Sequence, residues 1–371
     1  MNSDNTNNRY QRQIQLKEFG HVGQDKIAQS SVLVIGAGGL GCPALQYLAA
    51  VGVGTIGIAD FDVVEMSNLQ RQILYTVDDI GKSKAITAAK RLKTLNPNIS
   101  ILPYNFQITN NNALEILAKY DIVIDGSDNF ATRYLVNDAC VLLEKPLIYG
   151  AVLRFEGQIG VFNLTDNQSN IKTNYRDLFP EPPSDSTLSC NDVGVLGVIP
   201  GIIGTMQAIE TIKIITGIGK PLSNKIMCYN ALENSFYAFE MDVKSDKSID
   251  FPKNKIAFLA YDYEWFCNKN LNIEVLSVLE FDVLRSLETI TIVDVREKGE
   301  LPSVDEFPFI FIPLHEFESL ASTIPIENKV VIYCKSGQRS MQAVKILKEI
   351  FPNCQAYSLA GGIEAWKNNH Y

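Results

Sequence analysis

The chain has 371 residues, of which 46% are hydrophobic and 20% are charged, and its formal net charge is −9. This length predicts two or three domains, and the apolar content is sufficient for a full core. The negative charge argues against binding to nucleic acids or anionic membranes, because both need basic surfaces. Residues 1–13 are polar and lack the apolar segment of a signal peptide.

The longest apolar stretch, residues 193–209, contains four glycines and Pro200. It predicts a buried loop and helix rather than a membrane span. The seven cysteines are scattered and show no C-x-x-C spacing. An odd and sparse set of this kind is typical of a reducing compartment, so we predict a cytoplasmic protein.

The first part of the chain alternates predicted strands with predicted helices. The predicted strands are residues 31–36, 55–60, 99–104, 121–125, 148–151 and 157–162. The predicted helices are residues 41–51, 82–95, 111–120 and 205–216. This alternation predicts an α/β fold with a mostly parallel, Rossmann-like sheet and helices on both faces.

A glycine-rich turn follows the first strand. Gly36-Ala37-Gly38-Gly39-Leu40-Gly41 fits the pattern G-x-G-x-x-G, and Asp60 ends the next strand. Such glycines allow the backbone to approach phosphates at a helix N-terminus, and the carboxylate can accept ribose hydroxyls. NAD enzymes share this pattern, and a glycine turn needed only for packing is the alternative.

The residues that follow favour a nucleoside triphosphate over NAD. Arg71 and Lys84 could neutralise phosphates, and Asp128 follows a strand at the carboxyl edge of the predicted sheet. A carboxylate beside phosphate oxygens is a typical Mg²⁺ ligand. A nicotinamide site has little use for two cations and a metal-binding carboxylate.

The composition changes at residues 242–255, which are charged and rich in serine. We therefore place two domains at residues 1–245 and 273–371, with a linker at 246–272. In the second domain a strand (330–333) leads into Cys334, and a helix follows from residue 341. A thiol at a helix N-terminus has a lowered pKa and can hold an anionic sulfur.

Several motifs of the first domain resemble the MoeB/ThiF/HesA family, the bacterial relatives of ubiquitin-activating enzymes. They are Gly-Ala-Gly-Gly-Leu-Gly-Cys, Asp-Phe-Asp-Val-Val-Glu-Met-Ser-Asn-Leu-Gln-Arg-Gln, Asp-Gly-Ser-Asp-Asn and Arg-Phe-Glu-Gly-Gln, in this order within residues 9–237. The resemblance implies a homodimer that uses ATP and Mg²⁺ to adenylate the C-terminal glycine of a ubiquitin-like protein.

The resemblance also implies roles for individual residues. Asn68, Arg71 and Lys84 would hold the phosphates, and Asp128 would bind Mg²⁺. Arg12 would reach the nucleotide of the partner protomer. The full set of nucleotide-binding residues implied in this way is Gly36, Gly38, Gly39, Gly41, Asp60, Asp62, Ser67, Asn68, Leu69, Gln70, Arg71, Lys84, Asp128, Asn129 and Arg12.

The second domain resembles a rhodanese. The segment 292–297, the loop 334–340 and the segment 360–366 carry the resemblance. Four residues separate Cys334 from Arg339, whereas related phosphatase loops have five, and the shorter loop suits a persulfide. Arg339 and the loop amides would stabilise the persulfide of Cys334. Residues 298–314 depart from the family pattern, and an inactive docking domain is the alternative.

Two further expectations concern cysteine and zinc. Cys190 matches a family segment that often carries a second cysteine, which forms a thioester or a transient disulfide. Many family members bind structural zinc through two C-x-x-C pairs. Here the first pair would fall on Asn174 and Asp177, and the second near residues 242–246, which lack cysteine. We therefore predict no zinc.

Together these expectations describe an enzyme that adenylates a ubiquitin-like sulfur carrier ending in Gly-Gly, of the molybdopterin or thiamine biosynthesis type. The Cys334 persulfide, loaded by a donor such as a cysteine desulfurase or thiosulfate, would convert the adenylate to a thiocarboxylate. Catalysis would depend on Cys334, Arg339, Cys190, Arg71 and Asp128. The alternatives are adenylation of tRNA or another carboxylate, an NAD-dependent oxidoreductase and a non-catalytic docking scaffold.

Overall fold

The computed structural model describes residues 3–165, 171–182, 194–241, 251–268 and 274–370. These residues form two compact units that meet in the sequence between residues 264 and 265. Each unit contains its own sheet and its own apolar core.

The first unit is built on an eight-stranded sheet with the order β3-β2-β1-β4-β5-β6-β7-β8. The strands are β1 (Ser31–Ile35), β2 (Thr55–Ala59), β3 (Ser100–Tyr104), β4 (Ile122–Asp125), β5 (Leu147–Leu153), β6 (Glu156–Phe162), β7 (Lys225–Asn230) and β8 (Ser235–Glu240). Strands β1 to β5 pair in parallel and β5 to β8 in antiparallel fashion. The predicted α/β fold with a mostly parallel sheet is confirmed.

The helices of the first unit are α1 (Ser3–Ile14), α2 (Gly20–Gln29), α3 (Gly41–Val51), α4 (Lys84–Leu95), α5 (Asn110–Leu117), α6 (Phe130–Leu142), α7 (Tyr175–Leu178), α8 (Val198–Thr216) and α9 (Lys255–Ala260), and α10 (Tyr263–Asn268) crosses the boundary. The sequence pattern does not predict α6. All residues from 133 to 140 are buried, so no exposed polar face marks the helical period.

Helix α8 is long and apolar enough to cross a membrane by length and composition. Its contacts are those of a core helix. Gln207 donates hydrogen bonds to the backbone oxygens of Asp125 (2.8 Å) and Ile148 (3.3 Å). A Cβ at Gly204 would lie 2.2 Å from the oxygen of Leu40, so only glycine allows α8 to approach the turn before α3 this closely.

Two helices, α9 and α10, lie within the segment predicted to be a linker. Phe258 is fully buried, and Asn110 Nδ2 donates hydrogen bonds of 2.7 Å to the backbone oxygens of Phe258 and Tyr261. The segment from 251 to 264 therefore packs on the first unit. The domain limits at 245 and 273 stay predictions.

The second unit has a five-stranded parallel sheet with the order β11-β10-β12-β13-β9. The strands are β9 (Glu274–Leu276), β10 (Ile290–Asp294), β11 (Ile310–Phe311), β12 (Lys329–Tyr333) and β13 (Ala356–Leu359). The helices are α11 (Val278–Leu287), α12 (Leu314–Leu320), α13 (Gln338–Ile350) and α14 (Gly362–His370). Alternate residues of β12 enter two separate apolar clusters, so the sheet is covered on both faces.

Candidate functional site

An open cleft with about 990 Å³ of empty space lies at the carboxyl ends of β1, β2 and β4. The strand order reverses beside β1, and open α/β sheets bind ligands at such a point. Nine of the predicted nucleotide-binding residues line this cleft: Gly36, Gly38, Gly39, Asp60, Asp62, Arg71, Lys84, Asp128 and Asn129.

The glycines of the turn after β1 serve two different purposes. Gly36 has a φ of +85°, and a Cβ there would lie 2.6 Å from the oxygen of Gly126. A Cβ at Gly41 would lie 1.9 Å from the oxygen of Gly36. Gly41 is therefore required for packing and does not line the cleft, whereas Gly38 and Gly39 face it.

Asp60 connects the glycine turn to the end of β2. Its two carboxylate oxygens accept hydrogen bonds from the backbone N–H groups of Ala37 (2.7 Å) and Asp62 (2.9 Å). Burial raises the pKa of the Asp60 carboxyl, and the nearby Lys84 opposes this shift. Asp60 thus holds the turn in shape and still borders the cleft, where it can accept a ribose hydroxyl.

Lys84 supplies a buried positive charge to the cleft. Its Nζ lies 3.0 Å from the Asp62 carboxylate, and only 6% of the residue is exposed. Burial acts to lower the pKa of Lys84, but Asp62, Asp60 and Asp128 outweigh it and the pKa is raised. The ammonium is therefore charged at neutral pH, and it lines the cleft beside Asp62.

The remaining predicted nucleotide-binding residues do not line the cleft. Asn68 caps a short 3-10 turn by accepting a hydrogen bond from the Glu65 N–H (3.2 Å). The backbone of Gln70 packs against Gly197, because a Cβ added at Gly197 would lie 2.4 Å from the backbone oxygen of Gln70. Ser67 and Leu69 belong to the same segment, and Arg12 is exposed on α1. Direct nucleotide contacts by these residues stay predictions.

The turn after β4 presents Asp128 to the cleft. Asp125, which is 1% exposed, accepts hydrogen bonds from the Ser127 N–H (2.9 Å) and Oγ (2.6 Å). Asn129 caps α6 by accepting a hydrogen bond from the Thr132 N–H (2.8 Å). The turn is therefore fixed on both sides of Asp128, whose exposed carboxylate suits a Mg²⁺ ion bound together with phosphate oxygens.

The motifs did not identify several residues of the cleft. Arg133 is buried, donates a hydrogen bond to the oxygen of Ser127 (3.2 Å) and lies over the ring of Tyr149. Phe106 lies two residues after the end of β3, and the rule that ligands bind at the carboxyl edge could have found it. The other lining residues outside the predicted set include Gln72, Gln107, Ile108, Thr132, Val152, Val195 and Pro200.

The first position expected for a zinc-binding pair has a different local structure. Asn174 and Asp177 form a capping box at the start of α7, in which Asp177 accepts hydrogen bonds from the N–H (2.7 Å) and side chain (2.9 Å) of Asn174. Within the described residues, no group of three or more His, Cys, Asp or Glu side chains could hold a metal. Residues 242–246 lie outside them, so the absence of zinc stays a prediction.

We expect elemental analysis of the purified protein to show no stoichiometric zinc, because hydrogen bonds replace the thiolates at Asn174 and Asp177. A structural zinc site contributes directly to folding, and its removal lowers the unfolding temperature. Because we predict no such site, treatment with a strong chelator should leave the unfolding temperature unchanged. One equivalent of zinc, or a lower unfolding temperature after chelation, would contradict this prediction.

Directly beside the capping box lies a fully buried ion pair. Arg176 donates hydrogen bonds to both carboxylate oxygens of Asp138 (2.8 and 2.7 Å), and neither side chain is exposed. Tyr263 OH also donates to Asp138 (2.9 Å), and the Arg176 guanidinium lies over the rings of Tyr134 and Tyr261. This cluster connects α6 and α7 to the segment that leads out of the first unit.

Substitution of Asp138 by asparagine should destabilise the first unit by about 3 kcal/mol or more, because it leaves the Arg176 charge buried without a counter-charge. Calorimetry of the full chain should show its transition about 6–12 °C lower. The matched control is Glu115→Gln, which breaks an exposed pair with Lys119 and should shift the transition by less than about 2 °C. Equal shifts in the two variants would contradict this interpretation.

Cys190 lies outside the described residues, and its role stays a prediction. The other six cysteines are buried. Burial raises the pKa of Cys42 to about 12 and also raises that of Cys140. Both are therefore poor nucleophiles, which is consistent with packing roles.

Cys334 follows directly after β12, one of the central strands of the second sheet, and α13 begins at Gln338. Its Sγ accepts a hydrogen bond from the Gly337 N–H (3.1 Å) and lies 3.7 Å from Ser340 Oγ. The structure thus places the thiol at a helix N-terminus beside the backbone amide of Gly337, where an anionic sulfur is stabilised.

Arg339 has a partner that the sequence did not reveal. Its Nη1 donates a hydrogen bond of 2.8 Å to Glu300 Oε2, and its Nη2 is bonded to Glu300 Oε1. If Arg339 contacts a persulfide as predicted, its guanidinium therefore has to bind both the persulfide and the Glu300 carboxylate.

Comparison with known proteins identifies the two domains that contain these sites. The ThiF family model matches residues 10–249, which is well over half of the chain. The chain belongs to the ThiF family. The model of a rhodanese-like domain matches residues 280–369, so a ThiF domain and a C-terminal rhodanese-like domain are joined in one chain.

Two of the relatives are similar over nearly the whole chain. The adenylyltransferase and sulfurtransferase MOCS3 of Xenopus laevis is 39% identical over 97% of this chain and 86% of its own length. The probable adenylyltransferase/sulfurtransferase MoeZ of Mycobacterium tuberculosis is 41% identical over 96% of this chain and 92% of its own. The sulfur carrier protein adenylyltransferase of Thermus thermophilus is 51% identical and matches 62% of this chain and 84% of its own.

Solved structures support the fold of the ThiF domain. Escherichia coli MccB with ATP aligns with a TM-score of 0.54 and 23% identity, covering 66% of this chain and 73% of MccB. PaaA aligns with a TM-score of 0.52 and 22% identity, covering 65% and 75% of the two chains. At this level of identity the similarity concerns the fold alone.

Proposed function

We propose that this protein uses ATP to adenylate the C-terminal glycine of a ubiquitin-like sulfur-carrier protein and then transfers sulfur to it from a Cys334 persulfide. The observation that carries the proposal is that one chain combines the cleft of Arg71, Lys84 and Asp128 with the Cys334 loop. The names of the relatives, which combine adenylyltransferase and sulfurtransferase, support both halves.

In the first half-reaction, a carboxylate oxygen of the carrier attacks the α-phosphorus of ATP and pyrophosphate leaves. Both reactants are anionic, so the cleft has to offset their repulsion. Lys84 and Arg71 supply positive charge, and Gly38 and Gly39 of the glycine turn line the same cleft. Mg²⁺ held by Asp128 would neutralise the departing pyrophosphate.

In the second half-reaction, the terminal sulfur of the Cys334 persulfide attacks the acyl carbon of the adenylate and AMP leaves. The product is an acyl group joined to Cys334 through two sulfurs. The thiolate of Cys190, or another thiol, attacks the Cys334 sulfur and releases the carrier thiocarboxylate, and the two cysteines are then joined as a disulfide. A thiol reductant has to restore both cysteines before the next cycle.

We further propose a cytoplasmic homodimer, in which Arg12 reaches the nucleotide of the partner. The carrier could belong to a molybdopterin, thiamine or tRNA-thiolation pathway, and no residue of the chain separates the three. Joining the domains in one chain raises the effective concentration of persulfide near a hydrolysable adenylate.

The proposal is tested by ATP–pyrophosphate exchange with candidate carriers that end in Gly-Gly. Exchange that depends on the carrier supports adenylation. Carrier binding without exchange would favour a docking scaffold, and NAD binding without exchange would favour an oxidoreductase.

A further inference from the structure

The charges around the Cys334 loop are paired. Of the loop residues 334–339, the two basic ones each contact a carboxylate: Arg339 is bonded through both terminal nitrogens to Glu300, and Lys335 lies 3.6 Å from Glu364. The side chains of Arg339 and Glu300 are 27% and 21% exposed, so the pair is partly accessible from solvent.

A buried cation fixes the position of Glu300. Arg296 is 4% exposed and donates hydrogen bonds to the backbone oxygens of Glu300 (3.2 Å) and Pro302 (2.6 Å). Arg296 is itself held by both oxygens of Asp294. The Glu297 N–H donates a further hydrogen bond to the Glu300 carboxylate (3.1 Å). The contact with Arg339 is therefore built into the domain.

Glu300 is ionised at neutral pH. Burial acts to raise the pKa of Glu300, but the hydrogen bonds and charge of Arg339 outweigh it, and the pKa is lowered. An approaching donor therefore meets the positive charge of Arg339 together with the full negative charge of Glu300. A free guanidinium would attract a dianion and bind it through two hydrogen bonds, whereas the neutral pair offers little attraction.

We propose that Glu300 determines the donor specificity of the sulfurtransfer step. Its charge makes Cys334 a poorer acceptor of sulfur from small dianions such as thiosulfate than from a persulfide carried on a thiol. This inference rests on the proposed sulfurtransferase function of Cys334. It deepens that function by naming the chemical class of the donor.

The two donors differ in charge and in the group that leaves. With thiosulfate, the Cys334 thiolate attacks the outer sulfur, the S–S bond breaks and sulfite leaves with two negative charges. With a persulfide R–S–SH, the thiolate attacks the terminal sulfur and R–S⁻ leaves with one. Both reactions give the Cys334 persulfide, but only the first requires a dianion to approach Glu300.

The test compares Glu300→Gln with the wild type in the full-length protein. Glutamine keeps the shape of the side chain and an acceptor for Arg339 but removes the charge. The donors are thiosulfate and the persulfide of N-acetylcysteine amide, and persulfide formation on Cys334 is followed by mass spectrometry. We expect kcat/KM for thiosulfate to rise at least about fivefold and that for the persulfide to change less than about twofold.

Two controls separate specificity from structure. Glu288→Gln breaks a pair with Lys329 at the opposite end of β12 from Cys334. It should leave kcat/KM unchanged for both donors. In the background Arg339→Met, the Glu300→Gln substitution should no longer raise the thiosulfate rate, because the gain requires a free guanidinium.

Salt dependence provides a readout that does not depend on the variant folding well. The wild-type thiosulfate rate should vary little with ionic strength, and that of Glu300→Gln should fall as salt screens the freed Arg339. A steep fall in the wild type would overturn the inference, as would equal changes for both donors in Glu300→Gln. Failure of both donors with the wild type would overturn the proposed sulfurtransferase function as well.

Discussion

Replacement of Asp128 by alanine is expected to reduce ATP–pyrophosphate exchange by about a thousandfold or more. The carboxylate faces the nucleotide cleft beside Lys84 and is the residue proposed to hold Mg²⁺. Because the Asp128 side chain is exposed, the substitution should change the free energy of unfolding by less than about 0.5 kcal/mol. A large loss of exchange without a loss of stability is therefore the expected combination.

The control for this prediction is Asp25→Ala, which removes an exposed carboxylate on α2. It should leave exchange unchanged within about twofold. Calorimetric titration with ATP adds a second criterion: Mg²⁺ should strengthen binding in the wild type and lose this effect in Asp128→Ala. Normal exchange in Asp128→Ala, or an intact effect of Mg²⁺ on ATP binding, would show that Asp128 does not take part in the reaction.

Replacement of Cys334 by alanine should separate the two half-reactions. Exchange should continue at the wild-type rate, because Cys334 belongs to the second unit and the nucleotide cleft to the first. Formation of carrier thiocarboxylate should fall by at least about a hundredfold, since no other described thiol lies at this loop. Mass spectrometry of the carrier distinguishes the thiocarboxylate from the free acid.

The matched control is Cys354→Ala, which removes a buried free thiol from the same domain. It should keep both exchange and thiocarboxylate formation. Normal thiocarboxylate formation by Cys334→Ala would contradict the sulfur relay while leaving adenylation intact. Loss of both activities in Cys334→Ala would mean that Cys334 also affects adenylation.

Sequence patterns predicted the elements in which local signals and tertiary packing agree. Helix α3 was predicted with its observed bounds, because the glycine turn defines where it begins. Strands β7 and β8 were not predicted. The residues of β8 from 236 to 240 are exposed irrespective of which way they point, so hydrophobic alternation does not mark the strand.

The nucleotide cleft was predictable where its residues belong to contiguous motifs. Gly38, Asp60 and Lys84 each follow from a local pattern and all line the cleft. Arg133 was missed because it lies on the unpredicted helix α6. The pair between Glu300 and Arg339 joins residues 39 positions apart, and a single sequence contains no signal for such a contact.

Structure also separated two purposes within one motif. The sequence treats the glycines of G-x-G-x-x-G as one nucleotide-binding set. In the folded protein Gly41 is required because the backbone of Gly36 lies against it, whereas Gly36, Gly38 and Gly39 line the cleft. Close contacts between backbone segments depend on the packing of the whole unit and cannot be predicted from residue types alone.

The central claim is that this chain activates a carrier carboxylate with ATP and replaces one of its oxygens with sulfur. The most direct measurement is mass spectrometry of a ubiquitin-like carrier ending in Gly-Gly after incubation with the protein, ATP, Mg²⁺ and a persulfide donor. We predict a C-terminal thiocarboxylate that forms only when ATP is present and the terminal carboxylate is free. A carrier that stays unmodified under these conditions while ATP is bound, or one that gains sulfur without ATP, would contradict the account.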